Sequence, residues 1–239
     1  MKTWQKILIP TVLTLAIGGI YLAITFHQRS KPGVNQTQPE QQLSADDLAV
    51  VRMEFPQHFD DIKDLEGKSV WMKNGYSMPC YPYTAGRVEW ATSVGLIPPN
   101  QRLDIKKAIK ASVPAKVDDS IDHGSQQALV VFTLPGQKGE YATPVGAMQG
   151  SQEQYFGDML FYYDDPHTIY TNWPKDVWAA IDAHQVRPGF SELQTRTAIG
   201  SKAQYDGQTE GDRAADYDVN GKHIKVTFRH NKATTVEGP

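Results

Sequence analysis

Residues 7–26 read ILIPTVLTLAIGGIYLAITF and carry no charged side chain. A run like this has no polar face to turn toward water, so it belongs in lipid or in a very large core. As a helix it rises about 30 Å, enough to cross the hydrocarbon layer of a bilayer. It is longer than the apolar core of a secretory signal peptide, and Ala23-Ile24-Thr25-Phe26-His27 is a poor cleavage site. The expectation is an uncleaved transmembrane signal anchor over residues 1–27, with residues 7–26 in the membrane. Lys2 and Lys6 precede the run, and His27, Arg29 and Lys31 follow it. The expected orientation puts the amino terminus in the cytoplasm. The rest of the chain is then the extracytoplasmic, periplasmic body of a single-pass protein of the cytoplasmic (inner) membrane.

Residues 28–43, QRSKPGVNQTQPEQQL, are polar and have no hydrophobic period, which reads as a flexible tether. Asn35-Gln36-Thr37 within it has the form of a glycosylation sequon. The remaining residues suffice for one larger or two small domains, expected over 44–150 and 151–239. The net charge of −3 comes from interspersed signs, with no basic cluster of the kind a nucleic-acid surface needs. Cys80 is the single cysteine, so no intrachain disulfide can form. Flanked by Pro79, Tyr81 and Pro82, it reads as a small buried apolar group.

The stretch 67–146 consists of short apolar runs broken by turns. Ser69–Lys73, Asn74-Gly75 and Tyr76–Met78 carry the signal of a type I′ hairpin, because Asn-Gly accepts two positive φ angles. Gly95–Pro99 reads as a turn, Leu103–Ile109 as strand or helix, and Gln127–Leu134 and Tyr141–Val145 as strands. Such spacing predicts a small antiparallel barrel or sandwich. The phrase GKSVWMKNGY, residues 67–76, resembles a Src-homology-3-like barrel. Ahead of this stretch, directly after the tether, Ser44 and Asp47 have the spacing of a capping box for a short helix.

In the carboxyl-terminal part, Tyr155–Tyr163 reads as an aromatic strand, and Asp164-Asp165-Pro166-His167 as a turn. Asn172 and Pro174 open a helix whose apolar face holds Val177, Trp178, Ala180 and Ile181. Ser191 and Gln194 form a capping box for a second helix that Gly200 closes. Asn220-Gly221 marks a hairpin, and beyond it Ile224, Val226 and Phe228 share one face. The whole chain is therefore expected to be α+β: a transmembrane helix, a small barrel or sandwich, then a helix–helix–hairpin unit. The phrase Gly189-Phe190-Ser191-Glu192-Leu193-Gln194, followed by Ile199-Gly200, Tyr217 and Val226-Thr227-Phe228, resembles the SmpA/OmlA-like domain of small outer-membrane lipoproteins of the β-barrel assembly machinery. Phe190 stands where that family has Met, and the chain lacks a lipid-bearing cysteine. The resemblance implies the architecture of residues 186–236 and a cell-envelope setting.

Chemistry has one main candidate: Asp158, Asp164, Asp165 and His167, with His184 one helix later. Carboxylates and imidazoles bind divalent metals or act as general acid and base. Asp-Pro at a strand end is also ordinary turn chemistry, with the carboxylate accepting from local amides. Asp122-His123-Gly124-Ser125 places three triad residue types side by side, whereas triads converge from separate elements. Neither a Walker motif nor G-x-G-x-x-G occurs. Tyr76, Tyr81, Tyr83, Trp90, Tyr155, Tyr162, Tyr163, Tyr170, Trp173 and Trp178 crowd the turns, as core fillers or as contact residues. The function expected from all this is a non-catalytic binding or scaffolding module of the cell envelope. Its partners would be the membrane through residues 7–26 and an envelope protein or cell-wall component, with no nucleic acid, cofactor or metal. The alternative is a membrane-tethered hydrolase or metal-dependent enzyme using Asp164, Asp165 and His167, with Asp165, His167 and His184 as candidate catalytic residues.

Overall fold

The run Gln126–Thr133, QQALVVFT, is buried without a break from its second to its seventh residue. A strand buried on both faces lies in the middle of a covered sheet. It is the fifth strand of a computed structural model that describes residues 18–26, 44–114, 117, 126–150, 152–207 and 209–238. Residues 45–239 cluster as one compact unit and residues 1–44 as another.

Among the described residues two antiparallel sheets are present. The larger comprises β1 (Ser69–Met72), β2 (Tyr81–Thr84), β3 (Arg87–Val88), β4 (Arg102–Ser112), β5 (Gln126–Thr133), β6 (Glu140–Gln149), β7 (Gln152–Tyr155) and β8 (Phe161–Tyr162). Its order is β3-β2-β6-β5-β4-β1-β8, with β7 also paired to β6. The smaller comprises β9 (Ala203–Asp206), β10 (Ala214–Val219), β11 (Lys222–Arg229) and β12 (Lys232–Glu237), ordered β12-β11-β10-β9. Five short helices accompany them among the described residues of 45–239: α1 (Phe59–Lys63), α2 (Gly157–Leu160), α3 (Pro166–Ile169), α4 (Lys175–Asp182) and α5 (Glu192–Ile199).

Two cores meet along β1 and β8, and the period of a strand explains how. Successive side chains of a strand point to opposite faces. Val70, Met72 and Phe161 therefore enter one core with Leu103, Ile105 and Phe132. Trp71 and Tyr162, cross-strand partners in the β1–β8 pair, face the other. That second core holds Trp178 and Ile181 of α4, Ala198 of α5, and Tyr217, Val226 and Phe228 of the small sheet. On the other face of the large sheet Tyr83, Trp90 and Ile109 cover Leu129, Val131 and Ala142, which accounts for the burial of β5 on both sides.

The transmembrane signal anchor is not supported. Of residues 7–26 only 18–26 are described; they are helical, and no described helix is long and apolar enough to cross a membrane. Residues 7–17, the tether 28–43 with its sequon, and Asp122–Ser125 lie outside the described residues.

The α+β class is also corrected. The chain is mostly β, because the expected hairpin gains a strand on each side and the expected small barrel is an eight-stranded sheet. β9 has no signal in the sequence: Gln204, Tyr205 and Asp206 are all exposed, so no apolar alternation betrays it. The 69–78 hairpin does not form either. β1 pairs with β4 and β8, and neither Asn74 nor Gly75 has a positive φ. At Asn220-Gly221 both φ values are positive, 54° and 79°, and the hairpin closes with Val219 opposite Lys222. Residues 45–48 form a turn where a capped helix was expected. Tyr155–Tyr163 is broken into β7, α2 and β8.

Candidate functional site

The acidic and imidazole candidates are dispersed, and each is tied into local structure. Asp165 caps α3: its Oδ1 accepts the backbone N–H of His167 at 2.9 Å. The same oxygen lies 2.8 Å from His167 Nδ1, and Asp182 Oδ2 lies 3.2 Å from His167 Nε2. The ring also stacks on Trp178, with centroids 4.0 Å apart. Both ring nitrogens are thus engaged by carboxylates within the protein. Asp182 Oδ1 in turn accepts from Asn100 Nδ2 at 2.9 Å, so the chain of contacts ties α4 to the loop before β4.

Asp158 accepts the backbone N–H groups of Glu54 and Phe55, both at 2.8 Å, pinning the segment before α1. Asp164 pairs with Arg52 at 3.0 Å. His184 follows α4 with φ of 53°, and its Nδ1 lies 2.9 Å from the Ala198 carbonyl. A carbonyl only accepts, so Nδ1 carries the proton of this bond. Asp165 and His167 thus come together with Asp182, while Asp158, Asp164 and His184 go elsewhere. Among the described residues no group of three or more His, Cys, Asp or Glu side chains is arranged to hold a metal ion.

Between the two sheets lies an open cleft of about 210 Å³. One wall comes from loops of the large sheet, with Tyr76 and the turn Leu96–Pro99. The other comes from Ile199-Gly200 at the end of α5, Lys202 just before β9, and the β10–β11 turn 218–221. His184 lines it as well. Asn74 Nδ2 donates to Thr197 Oγ1 at 3.2 Å, and Lys202 Nζ meets Asp218 Oδ2 at 2.6 Å, so both walls are fixed. Tyr76 and Leu96 are 49% and 48% exposed at its mouth. Most other aromatic candidates are core: Tyr81, Tyr162, Tyr163, Tyr170, Trp173 and Trp178 are all buried. Cys80 is buried too, and burial pushes its thiol up to about 11. It borders a second cavity of about 220 Å³ that shares Leu96, Ile97 and Pro98 with the cleft.

Local sequence carries little sign of this cleft, because its walls lie far apart along the chain. The one available signal is the run Leu96-Ile97-Pro98-Pro99, where a turn carries apolar side chains but buries Ile97 alone. Comparison of the chain with family models, curated proteins and solved structures gives no match.

Proposed function

We propose that this chain is a non-catalytic binding module whose contact site is the cleft between its two sheets. The observation that carries the reading is the pair of large side chains, Tyr76 and Leu96, held about half exposed at the mouth of an apolar-walled cavity with fixed walls. A cleft with apolar walls and a rim of polar groups such as Lys202 and Asp218 has the makings of a small contact site. The competing enzyme reading loses support because Asp158, Asp164, Asp165 and His167 are engaged in caps and inter-element ties.

The test compares two variants of the full chain, Leu96→Asp and Asp165→Asn, in affinity capture from the source cells with quantified recovery. Leu96→Asp is expected to lose the specific partner, and Asp165→Asn to retain it. Recovery unaffected by Leu96→Asp, or a turnover abolished by Asp165→Asn, would overturn the reading.

A further inference from the structure

We infer that the cleft takes one large apolar side chain of an extended polypeptide, whose backbone adds as a fifth strand along β9. This deepens the binding-module reading and rests on it.

The cleft's size decides the class of ligand. Sites for cofactors and drug-sized molecules run from about 300 to 1,000 Å³. At about 210 Å³ this cleft falls below that range. It suits a single side chain delivered by something larger.

The edge beside it supplies the rest. β9 ends the order β12-β11-β10-β9. The N–H of Asp218 donates to the Lys202 carbonyl, and the register pairs Ala203 with Tyr217, Gln204 with Asp216 and Tyr205 with Ala215. In an antiparallel ladder bonded and non-bonded pairs alternate. Lys202 and Gln204 therefore bond inward to β10, while the N–H and C=O of Ala203 and Tyr205 point away from the sheet. Among the described residues nothing pairs with them. The opposite edge is treated differently: Ala233 of β12 donates to the Phe190 carbonyl at 2.7 Å and accepts from Gly189 N–H at 2.8 Å. An open edge is a template for strand addition, and a sheet that bridges one edge and leaves the other bare has one such template. β9 starts where the cleft ends, because Gly200 and Lys202 line the cavity and Ala203 begins the strand. A strand laid on β9 has one end beside the Gly200–Lys202 margin of the cleft. Four residues of edge give few backbone bonds, so both parts are needed: the edge sets direction and register, and the cleft selects the side chain.

The test pans the full chain against a displayed library of random dodecapeptides and measures the best binder by fluorescence anisotropy. Three comparisons follow: Leu96→Asp, Tyr205→Pro, and the same peptide N-methylated at each amide in turn. Pro at position 205 removes an outward donor at an edge, where Pro is tolerated. The expected results are a shared large apolar residue among selected peptides and a loss of about tenfold for Tyr205→Pro, the worth of one strong backbone bond. N-methylation should weaken binding at every second amide, the period of a strand. Leu96→Asp should lower affinity more than tenfold.

A flat methylation profile with binding still lost in Leu96→Asp would overturn strand addition and leave the cleft reading standing. Binding indifferent to Leu96→Asp would overturn both. Failure to select any peptide, or self-association of the chain that Tyr205→Pro abolishes, would also overturn the inference. If Tyr205→Pro does not fold, the methylation series on the unmodified chain decides alone.

Discussion

Glu192 and Arg213 offer the sharpest test of how the small sheet is held. The Glu192 side chain is fully buried at the first turn of α5, and the Arg213 side chain is 14% exposed. Arg213 Nη2 donates to Glu192 Oε1 at 2.5 Å, Nε to Oε2 at 3.3 Å, and the buried Gly211 N–H to Oε2 at 3.0 Å. One carboxylate thus fixes both the guanidinium and the loop before β10. Breaking a buried pair costs about 3–5 kcal/mol because the survivor stays uncompensated. The two halves of the pair are not equally buried, so the two truncations should differ. In Glu192→Ala the survivor is an arginine that already touches water, placing the loss near the lower figure. In Arg213→Ala it is a carboxylate with no access to water, placing the loss near the upper figure.

For a body of this size about 1 kcal/mol moves Tm by 2–4 °C, so the expected drops are roughly 9 °C and 15 °C. Thermal unfolding reads these drops, and urea unfolding followed by tryptophan fluorescence reads the free energies, with Trp173 and Trp178 in the second core as reporters. The double replacement Glu192→Leu with Arg213→Met should cost less than either truncation, because no charge is then left buried. Losses below about 1 kcal/mol for both single variants, or a larger loss in Glu192→Ala than in Arg213→Ala, would refute the reasoning.

Three other outcomes follow from particular contacts. Gly146 pairs with Tyr155, and a Cβ there would lie 2.6 Å from the Tyr155 ring and 2.7 Å from the Gln154 carbonyl. Gly146→Ala should therefore destabilise by about 1–3 kcal/mol in urea unfolding, the usual range for overpacking. Cys80, buried and with its thiol raised to about 11, should resist a disulfide reagent at neutral pH in the native chain and react at once in denaturant. Asp61 accepts the backbone N–H groups of Gln57 and His58 at 2.7 and 2.8 Å, and these bonds hold its carboxyl below the ordinary aspartate value. A depressed folded-state value gives stability that is present above the unfolded value and is lost as pH falls through the folded one. The stability difference between the native chain and Asp61→Asn should therefore be constant above about pH 4 and shrink below it, as measured by urea titration.

What the sequence disclosed follows from how local each signal is. The Ser191–Gln194 box and the Asn220-Gly221 turn were legible because their bonds close within a few residues. β5 was legible as a compact apolar run. Trp178 was legible as core from its place on a helix face. The Asn74-Gly75 hairpin failed because β1 found longer-range partners in β4 and β8, and local turn preference did not outweigh a place inside the large sheet. β9 was illegible because an edge strand with exposed side chains has no hydrophobic period to show. The Asp165 segment was expected as a turn with its carboxylate on local amides, and the carboxylate does accept the His167 N–H, as the cap of α3. Its tie through His167 to Asp182 was not foreseen, because Asp182 lies at the far end of the next helix in sequence. The cleft was invisible because Tyr76, Leu96 and Val219 meet only once both sheets are in place.

The central claim is that partners are held at the inter-sheet cleft and not at the Asp165–His167 turn. Amide chemical-shift mapping of the full chain, titrated with a peptide selected from the dodecapeptide library, tests it most directly. The expected shifts gather at Tyr76, Leu96, Gly200, Ala203, Tyr205 and Val219 and leave Asp165, His167 and Asp182 unmoved. Shifts gathered at the latter three, with the cleft residues silent, would contradict it.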